Sequence, residues 1–315
     1  MGEGDRCATV PGPYAGAIGS VGSMPHPSLR VLFARGSETT ALAEALSDDR
    51  ARIEGDLQAQ CVAERADVIV PRRLSSSFDL VPQVVPASPK FESVGRVLAA
   101  VGGGPHSVLA AITARNLGHR LRVPAEFVCA FSAEEGPDEA LRIVSELETR
   151  VPGIPHRIVE AERATNMVDD LADTALLVLG APGGSFFQRR FLGQGARLIA
   201  HAPLGAVVVK EAPRRVFHQM EEPDWVGTLL PASEALNLAH HRVVPVVEAG
   251  HVVGIVRTED LAGAGATPVG ELAIPAATVR VDASLQDAAR IAEGTGGLVP
   301  VVDADERLVG LWQQR

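Results

Sequence analysis

An internal repeat in the last third of the chain constrains its fold most strongly. The segment HRVVPVVEAGHVVGIV (241–256) matches GGLVPVVDADERLVGLW (296–312), and in each copy a strand containing proline leads through an acidic turn into a second strand. The residues before each copy, 232–241 and 284–294, have the pattern of a helix. Because a repeated unit buries its apolar face against its neighbour, we predict an α+β module made of two copies over 226–315.

Apolar strands alternate with amphipathic helices between residues 91 and 212. This alternation predicts an α/β domain with a five-stranded parallel, doubly wound sheet and helices on both faces. The predicted strands are 96–101, 125–131, 156–161, 174–180 and 205–210. The predicted helices are 106–121, 137–150, 164–173 and 195–202.

The other segments complete the domain organisation. Residues 1–28 are rich in Gly and Pro and predict a flexible tail, and the polar residues 213–225 predict a linker. The segment CVAERADVIVPRRLSSSF (61–78) echoes DDLADTALLVLGAPGGSF (169–186). We therefore interpret residues 29–90 as an αβ segment that is either a degenerate, shortened half related to the α/β domain or an unrelated extension.

Composition limits the classes of function. The net charge of −10 leaves no excess of basic residues to neutralise phosphates, which argues against a nucleic-acid partner. No apolar run approaches the roughly 20 residues of a membrane helix, and the N-terminus lacks the pattern of a secretory signal. The three cysteines show no metal-ligand spacing. We predict a cytoplasmic protein with no membrane insertion and no metal site.

A glycine-rich segment, GAPGGSFFQRRFLGQGA (180–196), follows the fourth predicted strand. Glycines allow a ligand to approach the backbone, and the start of the next helix favours an anion, so the segment predicts a phosphate seat. The alternative is a strand-to-helix turn with no ligand. The segment GGGPHS (102–107) lacks the Lys-Ser/Thr pair of a phosphate-binding Walker loop, and no catalytic group can be assembled from spacing. We predict that the protein is not an enzyme.

Residues 91–212, with this glycine segment, resemble the universal stress protein family. Many members of that family bind ATP through Gly, two residues, Gly, nine residues, Gly, then Ser or Thr. The sequence departs from the pattern twice, because Gln194 stands at the Ser/Thr position and Gly102 stands where the family has an Asp that contacts the nucleoside. The residues that the resemblance implies for an ATP site are Val101, Gly102, Gly180, Gly183, Arg189, Gly193, Gln194 and Gly195.

The C-terminal repeat resembles a tandem CBS-domain pair, a regulatory module that commonly binds adenosine-containing ligands between its repeats. Ligand-binding members have Gly, two apolar residues, Ser or Thr, two residues and Asp after the second strand. In the first copy Asp260 is in register, Arg257 takes the hydroxyl position and Thr258 comes one residue late. The resemblance implies that these three residues hold ribose and phosphate of AMP or another adenosine ligand. Alternatively, they are exposed residues at a helix start. The second copy has no Asp in register and predicts an incomplete half-site.

Together these features predict a non-enzymatic stress-response sensor that binds an adenine nucleotide, ATP or AMP, and modulates an unidentified protein partner. Its apolar last strand, LVGLW (308–312), predicts association into a homodimer. The alternatives are a dimeric scaffold that binds no nucleotide and, third, a weak ATPase.

Overall fold

The computed structural model describes residues 29–134, 136–161, 174–181 and 195–314. The chain divides into two compact units. The first comprises the described residues up to 60 together with those of 66–212, and the second comprises residues 61–65 and 213–314.

Up to residue 212, strands and helices alternate along the chain. The strands are β1 Val31–Phe33, β2 Arg50–Arg52, β3 Val68–Val70, β4 Gln83–Ala87, β5 Arg96–Val101, β6 Ala125–Phe131, β7 His156–Glu160, β8 Ala175–Gly180 and β9 Ala206–Lys210. The helices are α1 Ser37–Leu46, α2 Leu57–Ala63, α3 Ser107–Leu121, α4 Asp138–Arg150 and α5 Gly195–His201. Short 3₁₀ turns are omitted from this numbering. The predicted helix 164–173 and the predicted tail 1–28 lie outside the described residues.

The five predicted strands form a continuous parallel block in the order β9-β8-β5-β6-β7. Alternate residues of β5 face opposite sides: Val97 packs in one apolar core with α1, α3 and α4, and Leu98 packs in another with Leu198 of α5. Strands buried on both faces explain the unbroken apolar runs in the sequence. The unit is therefore a mixed α/β structure with helices on both sides of a large sheet.

The sheet is larger than the predicted five strands. Four more strands extend it to nine in the described residues, in the order β2-β1-β3-β4-β9-β8-β5-β6-β7. Strands β1 to β4 run parallel to one another, and β4 pairs antiparallel with β9 from Gln83↔Lys210 to Ala87↔Ala206. The neighbour order β2-β1-β3-β4 repeats the order β6-β5-β8-β9 on the other side of this β4–β9 seam.

Side chains from both sides of the seam hold one loop. The ammonium of Lys210 donates to the carbonyl oxygens of Ser75 at 2.7 Å and Phe78 at 2.9 Å, and a third, longer contact reaches Ser76. The amide of Gln83, which is only 1% exposed, donates to the carbonyls of Ser75 and Phe78 and accepts from the Ser75 N–H. The buried amide is thus satisfied, as burial requires.

The second unit is a repeat of β-α-β-β, as the sequence predicts. The first copy contains β10 Val226–Gly227, α6 Ala232–Leu238, β11 Val243–Glu248, β12 His251–Arg257 and α7 Thr258–Leu261. The second contains α8 Val269–Leu272, β13 Val279–Arg280, α9 Leu285–Thr295, β14 Leu298–Val302 and β15 Leu308–Gln313. Each copy forms a three-stranded sheet, and each central strand carries the same register shift, at Val246/Val247 and Val301/Val302.

The two copies exchange their leading segments. The amide of Val269, the first residue of α8, donates to the Leu230 carbonyl of the first copy. In the same way Phe217, in the 3₁₀ turn Val216–His218, donates to the Val281 carbonyl of the second copy. The segment 213–225, which the sequence predicts to be a linker, therefore supplies contacts to the second copy.

A glycine on the second strand of each copy lets the exchanged segment pass. A Cβ atom on Gly254 would lie 2.5 Å from the carbonyl oxygen of Ile274, and one on Gly310 would lie 3.0 Å from that of Glu221. Both crossings are paired by two backbone hydrogen bonds, Ile255 with Ile274 and Leu311 with Glu221. The repeated VVG and LVG of the sequence are thus explained by close backbone approach.

The last strand corrects the argument for the homodimer. In LVGLW the side chains of Leu311 and Trp312 are buried, and Leu311 pairs with both Pro300 of β14 and Glu221. Strand β15 lies at the edge of its sheet, but these buried side chains and the bridge to Glu221 leave less exposed apolar surface than the sequence predicts, and association stays a prediction. Across the described parts of the chain, no helix combines the length and apolar character needed to span a membrane.

Candidate functional site

The α/β unit has a crevice position at the carboxyl ends of β5 and β8. Strand β5 lies between β6 and β8. The chain continues from β5 to β6 on one side and from β8 to β9 on the other, so the two connections leave the neighbouring strand ends in opposite directions. In open parallel sheets, ligands bind outside the strand ends at such a switch point. Val101 ends β5, Gly102 follows it, and Gly180 ends β8, so the structure brings these three predicted residues to one edge.

Among the described residues, nothing fills the space beside Gly102 at this edge. A Cβ atom there would meet no described atom within 4 Å, and the φ of Gly102 is not in the left-handed region. The position therefore accepts a side chain, including the Asp that the universal stress protein pattern has there. Of the other predicted residues, Gly195 begins α5, and Gly183, Arg189, Gly193 and Gln194 lie outside the described residues.

His106 occupies the same edge and was not predicted. A Cβ atom on Gly180 would lie 3.0 Å from the Cβ of His106, so packing against this histidine is a second reason for a glycine at 180. The His106 Nδ1 accepts a hydrogen bond from the Glu211 amide at 3.0 Å. Burial, with a contribution from the charge of Lys210, lowers the pKa of His106 below its ordinary 6.5. The imidazole is therefore neutral at pH 7, with its proton on Nε2.

Acid is expected to destabilise the α/β unit through His106. Because the folded state lowers this pKa, the stabilisation is complete above pH 6.5 and is lost as the pH falls from 6.5 towards the lowered value. The slope is at most about 1.4 kcal/mol per pH unit. His106→Asn retains an acceptor for the Glu211 amide without titrating. Urea unfolding followed by hydrogen exchange in β5 and β9 should show that the free energy of unfolding falls less between pH 7.5 and 5.5 in the variant than in the parent protein. Equal decreases in the two proteins would contradict this assignment.

The second candidate site is the junction of β12 and α7. Arg257 is the last residue of β12, and its guanidinium lies 3.6 Å from the carboxylate of Glu259, with both side chains more than half exposed. The Thr258 amide and hydroxyl both donate to the Arg242 carbonyl, at 3.0 and 3.4 Å. Asp260 is exposed and its carboxylate contacts no partner within the described chain. An acid in the first turn of a helix is favoured by the dipole in any case.

The junction lies beside the exchanged segment of the second copy. The antiparallel pairing of Ile255 with Ile274 places the residues just before Ile274 next to the end of β12. The equivalent place in the second copy has Trp312 and Gln313, where the first has Val256 and Arg257. Trp312 is 5% exposed and its indole Nε1 is buried without a hydrogen bond in the described residues. The two half-sites thus differ, as the sequence predicts.

The second unit consists of two copies of one β-α-β-β unit, and each copy contacts the leading segment of the other. Residues 220–266 and 269–312 match the family model of the CBS domain, so the C-terminal region is a tandem CBS pair. No family match covers the α/β unit, and its resemblance to universal stress proteins stays a prediction. A search of curated proteins finds no match to the chain.

Three of the solved structures that are similar to this chain illustrate the range of proteins found. A putative acetoin utilization protein (AcuB) from Vibrio cholerae is 27% identical over 32% of this chain and 84% of that one, with a TM-score of 0.30. The CBS-pair protein CBSX2 from Arabidopsis thaliana is 25% identical over 32% and 89%, with a TM-score of 0.31. The cytosolic domain of the Mg²⁺ channel MgtE in complex with ATP is 26% identical over 31% and 45%, with a TM-score of 0.28.

Proposed function

We propose that this protein is a regulatory sensor whose CBS pair binds an adenine nucleotide, AMP or ATP, and thereby changes its contacts with a protein partner. CBS pairs bind such nucleotides and serve regulatory roles. The observation that carries the proposal to this chain is the β12–α7 junction. There, the carboxylate of Asp260 has no partner among the described residues, and Arg257 presents a guanidinium three residues earlier, a combination suited to ribose hydroxyls and phosphate.

Asp260→Ala tests this site. Both tryptophans, Trp225 and Trp312, belong to the second unit, so thermal unfolding followed by tryptophan fluorescence reports on the CBS pair. At a hundredfold excess over its dissociation constant, a nucleotide that binds only the folded state stabilises it by about 2.7 kcal/mol. We expect AMP or ATP to raise the melting temperature of the parent protein by several degrees and to have little effect on Asp260→Ala.

Asp305→Ala is the matched control, because Asp305 is an exposed acid in the turn of the second copy. It should respond to nucleotide as the parent protein does. Equal responses of the two variants would exclude Asp260 as a ligand. If neither nucleotide shifts the parent protein, the sensor proposal fails for this unit and the scaffold takes its place.

We propose the edge of β5 and β8 as a second nucleotide position, for ATP. The support is its place at a switch point and the glycine-rich segment that follows Gly180. Gly102→Asp would restore the missing carboxylate, since a Cβ at 102 meets no described atom within 4 Å and the φ is ordinary. Gly102→Asp is expected to tighten ATP binding to the α/β unit about tenfold, measured by calorimetry in an Asp260→Ala background. Gly102→Asn is the uncharged control, and no gain in Gly102→Asp would mean that the edge no longer binds a nucleoside.

Association into a homodimer remains part of the proposal, now on different grounds. The first CBS copy exposes large apolar side chains at Trp225, Leu229 and Leu238, of which Leu229 is 87% exposed. Large exposed apolar patches favour association, and the proposal is that these side chains contribute to one. Light scattering at tens of micromolar should give a dimer mass, and a monomer mass would contradict it. A cytoplasmic location and a role in stress response are predictions of the same account.

A further inference from the structure

The amino-terminal half of the large sheet has its own switch point. Strand β1 lies between β2 and β3, and α1 connects it to β2, so the connections diverge between the ends of β1 and β3. The last register pair is Phe33↔Val70, and the Ala34 amide donates to the Val70 carbonyl at 3.0 Å. Arg35 and Arg72 each follow two residues after this pair and therefore lie at the same edge.

Three arginines lie in the two loops at this edge, and Glu38 is exposed in the first turn of α1 beside them. Arg35, Arg72 and Arg73 are exposed, and within the described part of the chain none of them forms an ion pair. Arginines at the opposite edge of the sheet behave differently, since Arg120 binds the Asp48 carboxylate through both terminal nitrogens and Arg50 lies within 4 Å of the same residue.

One of the three guanidinium groups is fixed in place. The Arg72 Nε donates to the Arg35 carbonyl at 2.6 Å, which ties the two loops together. The same Nε lies 3.8 Å from where a Cβ of Gly36 would be, so the cation lies at the start of α1. A cation at this end of a helix is repelled by the dipole, and Arg35 and Arg73 add like charge. An arrangement that costs free energy in the free protein is what a site for an anion produces.

We propose that Arg35, Arg72 and Arg73 form an anion site that takes the phosphate groups of a multiply charged small molecule. Planar guanidinium groups bind phosphate oxygens through paired hydrogen bonds, and the fixed Arg72 loses little freedom on binding. The site belongs to the amino-terminal half and is separate from the β5–β8 edge and from the CBS pair. It does not depend on the nucleotide sensor proposed above.

Calorimetry with inorganic tripolyphosphate and the full-length protein tests the site. Tripolyphosphate carries the charge of a nucleotide without its adenosine. We expect the combined variant Arg35→Gln, Arg72→Gln, Arg73→Gln to bind it at least tenfold more weakly than the parent protein. The single variant Arg73→Glu should also weaken binding. Because Arg73 forms no hydrogen bond or ion pair with a described residue, this variant should fold like the parent protein.

The matched control removes the same charge elsewhere. The combined variant Arg142→Gln, Arg150→Gln, Arg290→Gln changes three exposed helix arginines and should bind within twofold of the parent protein. The variant Asp260→Ala should also retain tripolyphosphate binding, which separates this site from the CBS pair. Parent-like affinity in the Arg35, Arg72, Arg73 variant, or no binding by the parent protein at low salt, would overturn the proposal.

Discussion

Replacing Gly205 with alanine is expected to lower the free energy of unfolding of the α/β unit by about 3 kcal/mol or more. Gly205 immediately precedes β9 at the seam with β4, and its φ is +74°. A Cβ atom would lie 2.1 Å from the carbonyl oxygen of Ser88 and 2.6 Å from its carbonyl carbon. Both contacts are with backbone, so no side chain can move to relieve them. The seam between the two halves of the sheet would have to open.

Both tryptophans lie in the other unit, so tryptophan fluorescence does not report on the α/β unit. Hydrogen exchange in β4 and β9 is therefore the measurement of this effect. Gly153→Ala is the control for backbone strain alone: Gly153 also has a left-handed φ, +82°, but a Cβ there has open space. It should cost about 1 kcal/mol. Equal protection of the seam in Gly205→Ala and Gly153→Ala would show that β4 and β9 are not paired as described.

Replacing Gly254 with alanine is expected to destabilise the CBS pair by about 2 to 4 kcal/mol. The added Cβ would lie 2.5 Å from the Ile274 carbonyl, in the place where the exchanged segment crosses β12. Either the two hydrogen bonds between Ile255 and Ile274 lengthen or the segment moves away from the strand. Nucleotide affinity should fall with stability, because the proposed site lies at the end of this strand.

Gly294→Ala is the control in the same unit. Gly294 lies in α9 with open space around it, so alanine should stabilise the helix by up to about 1 kcal/mol. Urea unfolding followed by tryptophan fluorescence gives both values. If Gly254→Ala is as stable as Gly294→Ala, the segment around Ile274 does not pass close to β12 at Gly254. The repeated glycine would then need another explanation.

The sequence predicted the long strands and the repeat well, and it missed the seam. Strands β5, β8 and β9 contain continuous apolar runs, and the repeat doubled the signal of each CBS strand. Strands β1, β2 and β3 have three residues each, too short for periodicity to identify. Pairing of β4 with β9 depends on residues about 120 positions apart, Gln83 and Lys210 among them, and no local pattern encodes such a contact.

The candidate site was predicted in part. The resemblance to universal stress proteins implied a ligand site with Val101, Gly102 and Gly180, and the fold brings these residues to one edge, while their role in binding stays a prediction. His106 was missed because a single histidine after a Pro has no motif, although the glycine at 180 was an indirect sign of a close neighbour. The residues predicted for the CBS site follow from the register of the repeat. The hydrogen bond from the Thr258 hydroxyl to the Arg242 carbonyl, however, is visible only in the structure.

Equilibrium dialysis of the full-length protein against AMP and ATP tests the central claim most directly. The account predicts saturable binding of at least one adenine nucleotide per chain, reduced in Asp260→Ala and unchanged in Asp305→Ala. Retention of neither AMP nor ATP up to millimolar concentration, by a protein whose tryptophan fluorescence shows a folded CBS pair, would contradict the account and leave the dimeric scaffold.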